Sequence, residues 1–412
     1  MNLTKAQSQI GWIYFSRDAL RRAEARLRAE QEGVRDEIGF LLLHQAYADR
    51  FFPGTSVLQT RLRYIFFVPW LYLDLMQSFR GGDFERELIQ KEVELTARLK
   101  HNKKDGGVIG SRSYPNPTSQ PASLVYWTAL GTWGLLRKLH DGDSPSRSAV
   151  HRIITSRRIS TRLLDDDGEP LDDRWRVFVS MPTPPAEWEK QDGKLNFRLR
   201  REEKIFLTKF LVSLPSGTGN GGTSLLARLV ERRVPLARLN APWENAILSA
   251  ASEDDRRALI RARRIAALAA VGRGVYASLV ESALEHDGVE TDRLHRDTLK
   301  DLIDEFRMEA LKLDIPGILS DFPNLKGKRI IGILDATKAW LADGGRKPNL
   351  LQTYYEAAEL ARKGPVRAKL LNTPLAKERR REWSLNKGSK SEPLHYRWKQ
   401  VRRLLMDLQG GS

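Results

Sequence analysis

Between Ser252 and Glu281, the residues Ile265, Leu268, Gly272, Val275, Tyr276 and Leu279 recur at the 3.6-residue period, which lines them up along one face of a long α-helix. Ser252 stands where an N-cap is needed, with a side-chain oxygen to accept from the first free amides. Other stretches carry the same period. Residues 17–31 follow Ser16 as a cap, and 35–50 form a second amphipathic run. Residues 123–139, 292–313, 329–341, 350–363 and 396–408 also predict helices, with Gly364-Pro365 as the stop of the 350–363 segment. Strand-like alternation is scarce; Trp175 to Val179 and Leu195 to Leu199 are its best cases. The chain is therefore expected to be mainly α, with helical N-terminal and C-terminal halves and a few short strands near a central boundary.

The boundary is read from Asp165-Asp166-Asp167-Gly168-Glu169-Pro170 and from the Pro-rich stretch 181–186. A helical domain is expected over 1–164, a Pro/Asp-rich connector with short strands over 165–200, and a helical domain ending in a basic region over 201–412. At 412 residues the chain is long enough for two cores of ordinary size. No repeat at a fixed period is present.

Composition narrows the chemistry. There is no cysteine, which excludes disulfides, thiolate zinc sites, iron–sulfur clusters and thiol nucleophiles. The apolar run 64–73 is too short to cross a bilayer and is bracketed by Arg63 and Asp74, so it predicts a buried helix that Pro69 bends or breaks. No secretory signal is evident, and a cytoplasmic protein without a membrane role is expected. The 69 Lys and Arg exceed the 52 Asp and Glu by 17, which makes a polyanion the first partner to consider.

Three blocks concentrate that chemistry. In Thr55-Ser56-x-x-Gln59-Thr60-Arg61-x-Arg63, a Ser-x-x-Gln capping box is expected to start a helix at Ser56. Free amides, hydroxyls and two guanidiniums together would cradle a phosphate; the alternative is a plain cap whose arginines pair with carboxylates such as Asp49 or Asp74. Residues 362–403 hold 14 Lys and Arg against Glu378, Glu382 and Glu392, a net +11, interleaved with Trp383, Tyr396 and Trp398. Basic groups beside flat rings suit a nucleic-acid backbone with base stacking. Arg379, Arg380, Arg381, Lys399, Arg402 and Arg403 are the expected phosphate contacts there, with Trp383 as the stacking ring; the alternative is a solvated basic face with the tryptophans in the core. A smaller run, Arg147, Arg152, Arg157, Arg158 and Arg162, has no acid within it and either lines the same groove or is a solvated face.

Gly11-Trp12, Phe15-Ser16, Arg35-Asp36-Glu37-Ile38-Gly39, Phe52-Pro53-Gly54-Thr55-Ser56 with Gln59-Thr60-Arg61, and Val68-Pro69-Trp70 resemble the start of the bacterial domain-of-unknown-function family six-three-six-one. Tyr126-Trp127, Trp133-Gly134, the 182–185 prolines, Phe197, Leu199 and the closing Tyr396-Arg397-Trp398 extend the resemblance to nearly the full length. It implies no established activity. It implies helper proteins encoded beside helicase and phospholipase-D-type genes in anti-phage defence regions.

Catalytic signatures are weak. Gly217 to Ser224 has the outer glycines of a P-loop, but Thr223 stands where the lysine is required, so it predicts a loop capping the helix after Ser224. Asp165-x-Asp167-Gly168-Glu169 lacks the later bidentate glutamate of a calcium loop. His286 and His295 read as surface residues at a helix end. The expected function is a non-catalytic nucleic-acid-binding component, with DNA favoured, of a multi-protein anti-phage system, needing no cofactor or metal and working beside partners such as a helicase. The alternatives are a subunit that docks on a helicase or nuclease through its aromatic-rich N-terminal half, the basic tail aiding solubility, and a metal-dependent nuclease using Asp165, Asp167, Glu169 and Glu187.

Overall fold

The computed structural model describes residues 37–410 apart from 80, 102–105, 139–143, 157–176, 191, 218–221 and 386–390. Among the described residues there are sixteen α-helices. The first six are α1 (Phe40–Phe51), α2 (Tyr64–Ser78), α3 (Phe84–Leu99), α4 (Ala122–Thr132), α5 (Arg147–Ser156) and α6 (Ala186–Glu189). Then come α7 (Arg201–Leu211), α8 (Leu225–Glu231), α9 (Asn245–Ala250), α10 (Glu253–His286) and α11 (Leu294–Leu311). The last are α12 (Ile315–Asp321), α13 (Arg329–Ala342), α14 (Gln352–Lys363), α15 (Pro374–Leu385) and α16 (Trp398–Gln409).

Several starts and stops follow from their caps. Ser252 Oγ accepts from Asp255 N at the head of α10, and Ser224 Oγ accepts from Ala227 N at the head of α8. Gly364, at φ +72°, closes α14, a left-handed backbone that suits glycine. The expected break at Pro69 does not occur: α2 runs through it, and its residues 64–72 are all buried, because a helix apolar all round is held by its neighbours on every side.

No strand or sheet forms among the described residues. Among the described residues only two isolated bridges exist, Leu136 with Phe178 and Pro215 with Thr223. In the 195–199 stretch the alternation is real, with Leu195, Phe197 and Leu199 buried and Asn196 and Arg198 exposed. No second strand faces it. Its backbone is satisfied instead by Leu195 N donating to Arg98 O and by Asn196 O accepting from Arg63 Nη1. Residues 165–176 of the expected connector lie outside the described residues.

Buried side chains from Ile38 to Leu408 form one continuous cluster, so residues on both sides of the expected connector share a core. At its centre is α10, 34 residues and roughly 51 Å long at 1.5 Å per residue. It is long and apolar enough to cross a membrane, yet 89% of its apolar window is buried inside the protein. Small residues allow this on two sides. A Cβ on Gly274 would come 2.8 Å from Leu302 of α11, and one on Gly272 would come 2.6 Å from the Phe40 ring of α1 and 3.1 Å from Tyr355 Oη of α14. Gly272→Val is therefore expected to cost about 1–3 kcal/mol by overpacking, read as a lower urea midpoint. Gly332→Ala in α13, with nothing within 4 Å, should gain about 0.5–1 kcal/mol from helix propensity.

Candidate nucleic-acid interface

The Phe-Pro-Gly-Thr-Ser block folds as a tight turn. Gly54 sits at φ +77° against the Trp133 ring, whose Nε1 donates to Pro53 O, and Gln59 Nε2 returns to Gly54 O. Thr55 Oγ1 donates to Phe52 O, Ser56 Oγ accepts from Leu58 N, and Ser56 N donates to Gln59 Oε1. The reciprocal Ser-x-x-Gln contact is thus partly made, but the helix it was expected to start begins eight residues later, at Tyr64. A helix N-terminus at Ser56 does not form, so neither do the free amides of a phosphate cradle.

Arg61 and Arg63 both point inward. Arg61 Nε and Nη2 grip Asp407 of α16 at 3.0 and 2.9 Å, and the same carboxylate accepts from Leu62 N. Arg63 grips Glu203 of α7 at 3.1 and 2.9 Å and donates through Nη1 to Asn196. All four side chains are at most 4% exposed. Arginines of this block do pair with carboxylates, but with Asp407 and Glu203 rather than Asp49 or Asp74. Asp49 pairs instead with Arg397, and Asp74 accepts from Trp188 Nε1.

The basic C-terminal segment spends much of its charge in the same way. Lys363 and Lys369 meet Glu37, while Glu359 accepts from Tyr276 Oη and from the amides of Lys369 and Leu370. Arg380 is buried, holding Asp287 of the turn after α10 and the carbonyls of Lys369 and Leu371. Arg379 pairs with Glu382, and Arg402 donates to Leu239 O. Trp383 is only 5% exposed and packs on the His295 ring at 4.7 Å, so it offers no face to a base. This segment is a strap, with opposite charges as its fastenings. Arg157 and Arg158 lie outside the described residues.

Exposed cations also lie elsewhere. Lys399 and Arg403 are exposed one turn apart on α16, on the face that ends at Gly410. Lys204 of α7 packs over Gly410, where a Cβ would collide with its Nζ. Lys204 also lines an open groove of about 670 Å³ with Arg198, Leu199, Arg201, Ile205 and Arg233. Among the described residues none of these four cations has a carboxylate partner; the nearby Glu202 is held by Arg200. Ile205 is 63% exposed within this rim of positive charge. Arg381 is also exposed, on α15.

A family model described as "Family of unknown function (DUF6361)" matches residues 7–309. The chain belongs to that family. The match takes in the turn block, α7 and the groove residues. It ends before the Tyr396-Arg397-Trp398 block, so α12 to α16, and with them the basic strap, lie beyond the matched part of this family member. No curated protein and no solved structure matches the chain.

The groove is not among the blocks that the sequence singles out, although Arg198-x-Arg200-Arg201-x-x-Lys204 carries a signal as dense as theirs. Asp165, Asp167 and Glu169 fall outside the described residues, and among the described residues no group of three His, Asp or Glu is placed to hold a metal. His286 is exposed as expected, while His295 is half-buried against Trp383.

Proposed function

We propose that this family member binds nucleic acid, with DNA favoured, through the 198–205 groove and the Lys399–Arg403 face of α16, as a non-catalytic component of a multi-protein bacterial anti-phage system. The observation that supports it is the convergence of Arg198, Arg201, Lys204 and Arg233, unpaired among the described residues, on one open groove, in a fold that pairs so many of its other cations internally. A phosphate backbone supplies what those groups lack, a dense row of negative charge. The double variant Arg201→Glu/Lys204→Glu is expected to lose at least about tenfold in affinity for labelled DNA at ~0.1 M salt and to flatten the salt slope by about two, with an unchanged thermal midpoint. Lys91→Glu on α3, equally outward but away from the groove, should leave binding intact. Equal affinity in the double variant and the unaltered protein would sink the assignment.

A second reading, a subunit that docks on a helicase or nuclease partner, is favoured by Leu350, in the 3-10 turn just before α14, and Tyr354 of α14, both more than half exposed. Binding of nucleic acid by the purified chain alone separates the two.

A further inference from the structure

Glu92 of α3 is buried and, among the described residues, has no salt-bridge partner. Its Oε1 accepts from Ser123 N at 2.7 Å, and its Oε2 makes no hydrogen bond. The nearest cation, Arg147 of α5, is committed to Ser123 Oγ and Glu85. A buried carboxylate in that position is costly, and the fold gives it no internal remedy. It does give it access. Glu92 lines a small pocket with Tyr64, Thr96, Tyr114, Asn116 and Thr118, of about 30 Å³, which is room for roughly two water-sized groups. Tyr114 stands partly exposed at the pocket, and its ring already attracts a cation, with Lys100 Nζ 4.2 Å from its centroid.

We propose that this pocket is a binding site for a primary alkylammonium head, a –CH2–NH3+ group, with Glu92 as its counter-ion. The group matches the volume, and its three N–H donors suit the lone Oε2 and the hydroxyl and amide oxygens of Thr118 and Asn116. Both a free small amine and a lysine side chain carry this chemistry. Burial lifts the Glu92 carboxyl to about 7 against the pull of the Ser123 amide and of Arg147 on α5, with Tyr64 and Tyr72 of α2 feeling its charge and Lys100 standing at the Tyr114 ring, so the site should empty as pH falls below neutrality.

The test is thermal unfolding of the full chain at pH 8 with increasing methylammonium chloride against sodium chloride at equal ionic strength. A saturable rise of about 2 °C or more is expected with methylammonium, and none with tetraethylammonium, which is too large. The rise should vanish at pH 5.5 in the unaltered protein and at pH 8 in Glu92→Gln. No rise at pH 8, or an equal rise in Glu92→Gln, would overturn the proposal. If that variant fails to fold, a rise that persists at pH 5.5 in the unaltered protein overturns it equally. Putrescine and a blocked lysine tripeptide run in parallel; a rise at lower concentration with one of them names the source.

Discussion

Asp407→Ala is expected to destabilise the protein by about 3–5 kcal/mol. Asp407 is the counter-charge of Arg61, gripped through Nε and Nη2, and it also accepts from Leu62 N. Both side chains are 4% exposed, so removing the carboxylate takes a charge partner and its hydrogen bonds from a buried guanidinium and leaves the Leu62 amide without its acceptor. Gly107 packs so closely on the Arg61 stem, 2.8 Å from its Cγ to a Cβ placed there, that the arginine has little freedom to swing outward. Urea unfolding with an unchanged slope is the measurement. The double variant Arg61→Met/Asp407→Leu should recover part of the loss, since an apolar pair of similar volume avoids both desolvation penalties while the Leu62 amide still lacks its acceptor. If Arg61 instead served as an outward phosphate contact, Asp407→Ala would barely move the midpoint while altering DNA affinity.

That pair also shows what the sequence makes legible and what it hides. Local rules carry well: Ser252 and Ser224 cap the helices they precede, Gly364 ends α14, and the 265–279 stripe lies in the core. Each depends on residues within a few positions of one another. The direction of a charged side chain does not. Arg61 and Asp407 are 346 residues apart, and Arg380 and Asp287 are 93 apart, so a count of +11 over 362–403 does not separate a solvated face from a strap. Trp383 illustrates the same limit: its neighbours are basic, yet its ring is packed against His295. At 195–199 the period is right and the expected partner strand is absent, because alternation reports one buried face and not a neighbouring strand. The groove is hidden for the opposite reason, since Arg233 joins Arg198, Arg201 and Lys204 only through the fold.

Stability between pH 5 and 8 should carry the mark of Glu92. Burial is the main cause that raises its carboxyl from 4.5 to about 7, against the weaker pull of the Ser123 amide and Arg147. A folded-state value above the unfolded one means that the native chain holds this proton more tightly. Its contribution is therefore fully present below about 4.5 and is lost as pH rises through about 7, a change of about 3 kcal/mol in all. Glu92→Gln keeps the shape and the Ser123 contact but cannot ionise, so it should be the more stable protein at pH 8 and nearly its equal at pH 5. His44 and His395, both pushed down by burial and by neighbouring cations, contribute the opposite slope, with stability lost as pH falls. They do so in both proteins, and the difference between the two urea midpoints across the pH series isolates the carboxyl. Parallel profiles would show that water reaches Glu92 and that its burial costs nothing. A widening gap toward pH 8 would show that the native fold keeps a charge unpaired there, which is the deficit that a bound ammonium would relieve.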